Sequence, residues 1–184
     1  DRTSREFLHW LSEICTSVFK SAPTFKNELL NRQQLSAAAA AGRRNLLECL
    51  LEKHQTARLG IEGFPPEYSM YESLLHEGGF HIERQGQWQV IPPRGEWAAV
   101  WKAVEEFLEG TERERKPVSQ LFSMLQDAPF GIKEGPLPIL LCCGLLAKKG
   151  SVALYENGVF VPDLRIEVFE RILRATGIFE IQEH

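Results

Sequence analysis

Residues 136–149 have the sequence Pro-Leu-Pro-Ile-Leu-Leu-Cys-Cys-Gly-Leu-Leu-Ala-Lys-Lys, which opens with helix-starting prolines and stays apolar until its last two positions. A helix that is apolar on nearly every side has to be buried on most of its circumference, against its own unit or a neighbour. Residues 152–161 then predict a hairpin, because Asn157-Gly158 supplies the two positive-φ residues of a type I′ turn. The whole stretch therefore predicts a buried helix followed by a wing-like hairpin.

The same plan occurs once more, earlier in the chain. When residues 46–90 are shifted by 71 positions, they fall on residues 117–161 without a gap, and both segments have the order helix, Gly-Ile turn, proline-started helix, glycine and hairpin. Identical residues lie on turn glycines, a helix-opening proline and apolar sites, where geometry and burial restrict the residue type most. They are Leu50/Leu121, Gln55/Gln126, Ala57/Ala128, Gly60/Gly131, Ile61/Ile132, Pro65/Pro136, Leu74/Leu145, Leu75/Leu146, Gly79/Gly150 and Val90/Val161. This pattern indicates an internal duplication.

The duplication predicts a mainly α fold with small β-hairpins, arranged as two tandem winged-helix-like units. We place an N-terminal helix in residues 1–22 and the first unit in residues 23–94. The second unit, with a C-terminal helix, occupies residues 95–184. Pro92-Pro-Arg-Gly95 is the linker between the two units.

Individual helices are predicted from caps and from apolar periodicity. Thr3-Ser-Arg-Glu6 has the spacing of a capping box, and apolar residues then recur at helical intervals, which predicts a helix over residues 4–19. The apolar residues of this helix are Phe7, Leu8, Leu11, Ile14, Cys15 and Val18.

The rest of the chain continues in the same way. Ser36 is predicted to cap a helix that begins with five alanines, the best helix formers. Trp97 and Trp101 are predicted core residues of an amphipathic helix over residues 96–109, with an aromatic anchor for a partner as the alternative. The remaining predictions are a short helix over residues 25–33, a last helix over residues 164–175 capped by Asp163, and an edge strand over residues 178–181.

The composition argues against a free-standing DNA-binding domain and against a membrane-spanning protein. The chain has 184 residues, of which 43% are hydrophobic, and its 21 basic and 25 acidic residues give a net charge of −4. A free-standing DNA-binding domain is usually basic, since phosphate neutralisation supplies most of its nonspecific affinity. The longest apolar stretch, residues 137–147, is too short to span a bilayer, and we expect no signal peptide. A chain that opens on Asp1 with immediate helix signals is expected to be a piece of a longer polypeptide.

The four cysteines favour a cytoplasmic protein. Cys15, Cys49, Cys142 and Cys143 show no Cys-x-x-Cys spacing, and the adjacent pair lies in an apolar run. We interpret all four as reduced, buried small hydrophobic residues, as expected in a reducing compartment.

Signatures of catalysis and cofactor binding are missing from the sequence. Neither of the common glycine-rich phosphate-binding motifs occurs. The five histidines are dispersed, and His76 and His81 do not share a helix face. Glutamates at every fifth position from Glu62 to Glu77 spread around a helix and form no carboxylate pair. We therefore predict a chain without catalytic, cofactor-binding or metal-binding residues.

The helices that precede the two hairpins argue against base reading, although this helix normally enters the major groove in a winged-helix domain. The first, residues 65–77, has three carboxylates and no Lys or Arg, and the second is apolar. The remaining candidates for contact with a partner or with phosphate are Arg43, Arg44, Lys148 and Lys149. Solvated helix ends explain the same residues without a partner. The alanines at 37–41 fit either a low-profile contact surface or tight packing on a neighbouring helix.

Several segments together resemble a region of large bacterial P-loop ATPases. They are residues 26–31, 35–47, 59–75 and 130–141, among them Leu-Gly-Ile-Glu-Gly-Phe-Pro-Pro-Glu from Leu59 onward and Phe-Gly-Ile-Lys-Glu-Gly-Pro from Phe130 onward. In that family, which includes ATPases of BREX-type phage-defence systems, the resembling stretch would follow the ATPase core. The resemblance implies an accessory helical and winged-helix region of an ATP-driven, DNA-associated machine. The chain has no Walker motif, so the resemblance assigns nucleotide binding to none of its residues.

We therefore expect a non-catalytic accessory or interaction region of a larger cytoplasmic ATPase, in contact with other subunits, with other parts of its own polypeptide or with DNA-associated partners. Weak contact with a nucleic-acid backbone and no contact with a membrane are further expectations. The alternative is a winged-helix DNA-binding module of the transcription-regulator type, which would need basic residues gathered on one face. An enzyme would need a nucleophile, acid–base or metal constellation, which the sequence does not show.

Overall fold

Helices make up most of the structure, a computed structural model that describes residues 2–184. These residues form seven α-helices and two small antiparallel sheets, which confirms the prediction of a mainly α fold with β-hairpins. The helices are α1 (Arg2–Val18), α2 (Ala37–Lys53), α3 (Pro66–Met70), α4 (Ala98–Glu109), α5 (Val118–Gln126), α6 (Leu137–Ala147) and α7 (Ile166–Arg174). The strands are β1 (His81–Arg84), β2 (Gln87–Val90), β3 (Lys116–Pro117), β4 (Val152–Glu156), β5 (Val159–Phe160) and β6 (Phe179–Glu183).

Helix α6 lies in the hydrophobic core, as its all-round apolar sequence predicts. Every residue from 137 to 145 is buried. Helix α4 approaches it at Gly144, where an added Cβ would lie 3.3 Å from the side chain of Val104 and 3.8 Å from that of Leu108. A larger residue at this position would therefore push the two helices apart.

The core continues from α6 into the rest of the chain. Trp97 and Trp101 are core residues as predicted, and both rings pack edge-on against Phe80. The buried hydrophobic residues form one cluster that extends from Leu30 to Ile181 and therefore contains residues of both predicted units. The division of the chain at 22/23 and at 94/95 stays a prediction.

Helices α2 and α3 pack closely against each other. Ser36 caps α2 as predicted, since its hydroxyl accepts a hydrogen bond from Ala39 N at 3.1 Å. At Gly42 an added Cβ would lie 3.1 Å from Met70 Cε and 3.3 Å from Pro66 Cβ, so the two helices meet at this glycine. Of the five alanines only Ala39 is buried. The alanine run thus combines one packed residue with a low-profile outer surface.

Directly after α3 the chain continues as one π-helical turn, Tyr71–His76, which brings Tyr71 to a buried histidine. Tyr71 Oη lies 2.8 Å from His81 Nδ1, and His81 Nε2 lies 2.7 Å from the carbonyl oxygen of His54. Because a carbonyl only accepts, Nε2 donates to it, and the neutral ring then accepts the Tyr71 hydroxyl proton at Nδ1. Burial lowers the pKa of His81, since desolvation disfavours the imidazolium, and it raises the pKa of Tyr71 to about 12.

The predicted repeat is reflected in the positions of the secondary-structure elements. Helix α3 with its π-helical turn covers residues 66–76, and α6 covers residues 137–147, which is the same segment shifted by 71. The turn glycines agree as well. Gly60 and Gly131 have φ of +68° and +61°, and Gly79 and Gly150 have φ of +80° and +93°.

The correspondence changes in the hairpins. The first hairpin turns at Gln85-Gly86 and the second at Asn157-Gly158, so their separation is 72 residues and the second hairpin has one residue more before its turn. Val90 and Val161 are therefore not equivalent positions. The sheets also differ, because β1 and β2 form a two-stranded sheet, whereas β4 and β5 belong to a four-stranded sheet with the order β3-β6-β4-β5.

The structure corrects two predictions about chain segments. Strand β6 lies between β3 and β4, so it is an interior strand and not the predicted edge strand. Residues 25–33 form no helix. Asn27 Oδ1 accepts hydrogen bonds from Leu29 N and Leu30 N, both at 3.1 Å, and this turn offers the backbone an alternative to a helix.

Two predicted helix caps are also wrong. Helix α1 begins at Arg2, so Thr3 lies inside the helix. Helix α7 begins at Ile166 with Arg165 at its N-cap position, where no side chain caps the helix. Asp163 lies 3.7 Å from the Arg165 guanidinium instead. It comes too early in the chain to serve as the N-cap residue, whose side chain bonds the second or third helical amide.

Replacing Gly158 by alanine is expected to destabilise the protein by about 1–2 kcal/mol, the cost of a left-handed backbone for an L-residue. Gly158 has φ of +78°, and an added Cβ would meet no atom within 4 Å, so backbone strain is the only penalty. Gly177→Ala is the matched control, because that site is equally open but lies outside the left-handed region. Chemical denaturation measures both variants. Equal stability of the two would show that the hairpin turn is not held in this conformation.

The buried His81 predicts a loss of stability as the pH falls below about 6.5, the pKa of an unfolded histidine. Its folded pKa is lowered, so the unfolded chain binds the proton more readily. The stabilisation is therefore complete above the unfolded pKa and is lost as the pH falls through the folded pKa. In the wild type, the denaturation midpoint should decrease as the pH is lowered below about 6.5. In His81→Gln, the midpoint should depend less on pH. An unchanged pH slope in the variant would assign the effect to other groups.

Candidate interaction surface

Helix α1 carries an apolar face that no other part of residues 2–184 covers. Successive helical residues lie about 100° apart around the axis, so positions three and four apart gather on one side. Six side chains, called the α1 apolar face below, share this side: Phe7, Leu8, Trp10, Leu11, Ile14 and Val18. None of the six is buried, and their exposed fractions lie between 37% and 64%.

The opposite side of α1 is an ordinary solvated surface. Arg2 and Glu6 form an ion pair at 3.2 Å, and His9 Nε2 lies 3.5 Å from Glu13, both with i,i+4 spacing. All four side chains are at least two-thirds exposed, so these contacts contribute little to stability. The helix is therefore amphipathic, but its apolar side faces solvent where a core would be expected.

Helix α1 is attached to the rest of the chain at its C-terminal end. Ser21 N donates a hydrogen bond to the carbonyl oxygen of Pro129 at 3.1 Å. Just before it, the Phe19 ring lies so close to Gly131 that an added Cβ there would be 2.7 Å from Phe19 Cδ1. The contact therefore requires glycine at position 131. With no buried residue of its own, α1 projects from this anchored base.

The sequence predicts the helical spacing of this face but not its exposure. Trp10, three residues after Phe7 and four before Ile14, belongs to the same face and is missing from the predicted apolar pattern, although its spacing fits. Cys15 is predicted to be buried but is exposed, because it lies beside the uncovered face. Cys49 is half-buried, so only the adjacent pair in α6 meets the prediction fully.

Arg43, one of the four predicted contact residues, is an internal residue that is only 6% exposed. Its Nη1 lies 3.0 Å from Glu134 Oε2 and donates to the carbonyl oxygen of Gly135 at 3.2 Å. These bonds tie α2 to the loop before α6. An outside ligand would reach this guanidinium only in competition with Glu134.

The other three predicted contact residues lie nearer the surface. Arg44 forms an ion pair with Glu170 of α7, and Lys148 Nζ lies 3.5 Å from Glu183. Lys149 is exposed and has no ion pair within residues 2–184. Three of the four basic residues are thus matched with carboxylates of the same chain. Contact with a partner or with phosphate stays a prediction for all four, and Lys149 is the residue with least internal competition.

The helices that precede the hairpins offer little surface to DNA. Helix α6 is buried from residue 137 to residue 145, so its side chains reach no groove. Helix α3 and its π-helical turn bury Met70 and Leu74, and their solvent side presents Glu72 and Glu77. Carboxylates at this position repel phosphate. That neither helix reads bases stays a prediction.

A cleft of about 750 Å³ opens beside the second hairpin, at the C-terminal ends of α2 and α6. Leu51, Leu145 and Leu154 give it an apolar lining, to which Lys149 adds a positive charge. His54 also lines the cleft, and its buried Nδ1 has no hydrogen-bond partner within the described chain. Among residues 2–184 no group of three or more His, Cys, Asp or Glu side chains is placed to hold a metal ion. The cleft is therefore suited to an apolar group that carries a polar atom.

Arg43→Ala is expected to destabilise the protein by about 2–3 kcal/mol, because it removes a buried guanidinium that pairs with Glu134 and donates to the carbonyl oxygen of Gly135. The neighbouring Arg44→Ala is the matched control. Its side chain is 43% exposed, and a solvent-screened surface ion pair contributes little to stability. Urea denaturation compares the two variants with the wild type. If both variants lose the same stability, Arg43 does not act as an internal tie between α2 and the loop before α6.

Comparison with known proteins gives no match that would explain this surface. The chain was compared with protein-family models, with curated proteins and with solved structures, and none of them matches. Within residues 2–184 no helix has both the length and the apolar character needed to cross a lipid bilayer. The features of the molecule that bear on its function are the exposed α1 apolar face, the buried α6 and the paired basic residues.

Proposed function

We propose that the chain is a non-catalytic interaction region of a larger cytoplasmic ATPase, through which the ATPase contacts other subunits or DNA-associated partners. The observation that carries this proposal is the uncovered α1 apolar face. Monomeric soluble proteins rarely expose a contiguous apolar patch of this kind, and such patches mark interaction sites. Helix α1 has no buried residue, so its apolar face does not pack on the core and is available to a partner.

In this proposal the body of the protein consists of two tandem winged-helix-like units. The repeated order of helix, turn, proline-started helix and hairpin supports it, as do the matching positions of α3 with its π-helical turn and of α6. The units act as a scaffold. Their second hairpin and the adjacent cleft, which includes Phe160 and Lys149, offer a further contact surface.

A DNA-binding module of the transcription-regulator type is the less favoured function. It would need a recognition helix with free polar and basic side chains, and α6 has none of these up to residue 145. Basic residues would also have to gather on one face. Arg43, Arg44 and Lys148 are each engaged with a carboxylate of the same chain, which leaves little positive charge for phosphate.

A catalytic function is disfavoured because the reactive groups of the core are buried or hydrogen-bonded to the rest of the chain. Burial raises the pKa of both Cys142 and Cys143, so their thiols stay protonated and are poor nucleophiles. His81 has both ring nitrogens hydrogen-bonded within the core and no exposed surface. These groups stabilise the fold and have no access to a substrate.

The ATPase setting is supported by the resemblance of residues 26–31, 35–47, 59–75 and 130–141 to large bacterial P-loop ATPases, which include BREX-type phage-defence ATPases. Three of these segments contain residues whose type is restricted by a helix cap, a close helix contact or a turn. Residues 35–47 contain the Ser36 cap and Gly42, residues 59–75 contain the Gly60 turn, and residues 130–141 contain Gly131 and the start of α6.

We predict that the chain binds duplex DNA no better than about 10 μM at physiological salt, which is weaker than typical specific complexes. Fluorescence anisotropy with random and genomic duplexes measures this affinity. The residual binding should come from phosphate contacts and should therefore weaken steeply as salt rises.

The same titration tests which residues carry that weak binding. Lys149→Ala should reduce it, because Lys149 has no ion pair in the described chain. Lys102→Ala is the control, since Lys102 is a 77% exposed lysine on α4 and remote from the second hairpin in sequence. Nanomolar, sequence-dependent and salt-tolerant binding would contradict the interaction role and favour the regulator function.

A further inference from the structure

We propose that the α1 apolar face pairs with the same face of a second copy of this chain, with the two α1 helices antiparallel across a twofold axis. The proposal rests on the interaction role proposed above and names the partner. Phe7, Leu11, Ile14 and Val18 form the central seam, and Leu8 and Trp10 flank it.

The size of the face reaches the lower limit of what a stable dimer buries. Taken together, the exposed parts of its six side chains amount to roughly 600 Å² of apolar surface, compared with the roughly 800 Å² that each partner buries in a standard interface. Cys15 and the polar residues at the edge of the face can supply the remainder. Helix α1 is also long enough, because its 17 residues extend for about 25 Å.

The seam is complementary to itself. The spacing 7, 11, 14 and 18 alternates steps of four and three residues, which is the spacing of the contact positions of paired helices. In an antiparallel pair centred between Leu11 and Ile14, Leu11 of one copy faces Ile14 of the other, and Phe7 faces Val18. Each outer layer then combines a large ring with a small side chain, so that four layers of similar volume form.

The charges of α1 also favour a second copy. The charged residues Arg2, Arg5, Glu6 and Glu13 lie on the side opposite the face, while the edge of the face carries small hydroxyl residues such as Ser4 and Ser17. Two copies therefore meet without like-charge repulsion. A helix that lies on an anionic membrane surface is usually rich in Lys and Arg on its polar side, whereas here the two arginines are balanced by two glutamates.

The attachment of α1 leaves room for this pairing. The helix is held at its C-terminal end through Phe19 and Ser21. In an antiparallel pair the two anchored ends point in opposite directions, so the two protein bodies lie at opposite ends of the helix pair and do not compete for the same space.

Sedimentation velocity of the full chain over a series of protein concentrations tests the proposal. We expect a monomer–dimer equilibrium in the wild type. Leu11→Glu should weaken dimerisation by roughly 30-fold or more, because it places a charge in the centre of the interface. Ser12→Glu introduces the same side chain one position away, on the solvated side of α1, and should leave the dimer intact. Unchanged thermal unfolding of the body in both variants verifies that the core remains folded.

Disulfide crosslinking tests the antiparallel orientation. Phe7→Cys and Val18→Cys are made separately, each in a background with Cys15→Ser and Cys49→Ser. An equal mixture of the two proteins should give crosslinked heterodimers under mild oxidation, and each protein alone should give few crosslinks. Efficient crosslinking of Val18→Cys with itself would indicate parallel helices and would overturn the proposed pairing.

Two further outcomes would overturn the proposal. The first is a wild-type chain that stays monomeric over the whole concentration series, or a dimer that Leu11→Glu leaves unchanged. The second is a monomeric chain that co-sediments with anionic lipid vesicles through α1, since the face would then be a membrane contact. The first outcome removes the pairing of two copies but leaves the interaction role, which a different protein partner could still fill. The second outcome removes both, because lipid would then explain the exposed face.

Discussion

A helix that is apolar on all sides persists in water only when protein surrounds it, and α6 imposes this condition on the whole fold. Helix α4 meets it at Gly144, and Arg43 of α2 ties down the loop that leads into it through Glu134 and Gly135. The helix before the second hairpin is therefore part of the core. The chemistry of α6 is that of a structural support.

Helix α1 also has apolar side chains that favour burial, but unlike those of α6 they are exposed. Its apolar face has nothing to pack against in residues 2–184, so its burial has to come from another surface. A lone helix of this length is only marginally stable in water without such packing. In the proposed dimer, the stability of α1 and the binding of its partner would therefore be coupled.

Features set by neighbouring residues or by composition could be predicted from the sequence. The Ser36 cap, the Asn157-Gly158 turn and the burial of α6 belong to this group, because each follows from a few adjacent residues. Two predictions were wrong, the cap at Asp163 and the helix over residues 25–33. Short polar side chains such as those of Asn27 and Asp163 can bond to several nearby groups, and the sequence does not show which bond forms.

Features that depend on distant residues could not be predicted in the same way. Arg43 and Glu134 are 91 residues apart, so nothing near Arg43 indicates that its charge is already satisfied. Strand β6 became an interior strand because β3 pairs with its outer edge through Lys116 and Ile181. For α1 the periodicity defined which side is apolar, but periodicity holds no information on what covers that side.

Hydrogen–deuterium exchange of the full chain at low and high protein concentration tests most directly whether α1 is the interaction surface and α6 the support. The amides of α1 are expected to exchange rapidly in dilute solution and to become protected as concentration rises, while those of α6 stay protected throughout. Rapid exchange of α1 at every concentration would contradict self-association through α1, and exchange of α6 as fast as that of α1 would contradict the role of α6 as the structural support.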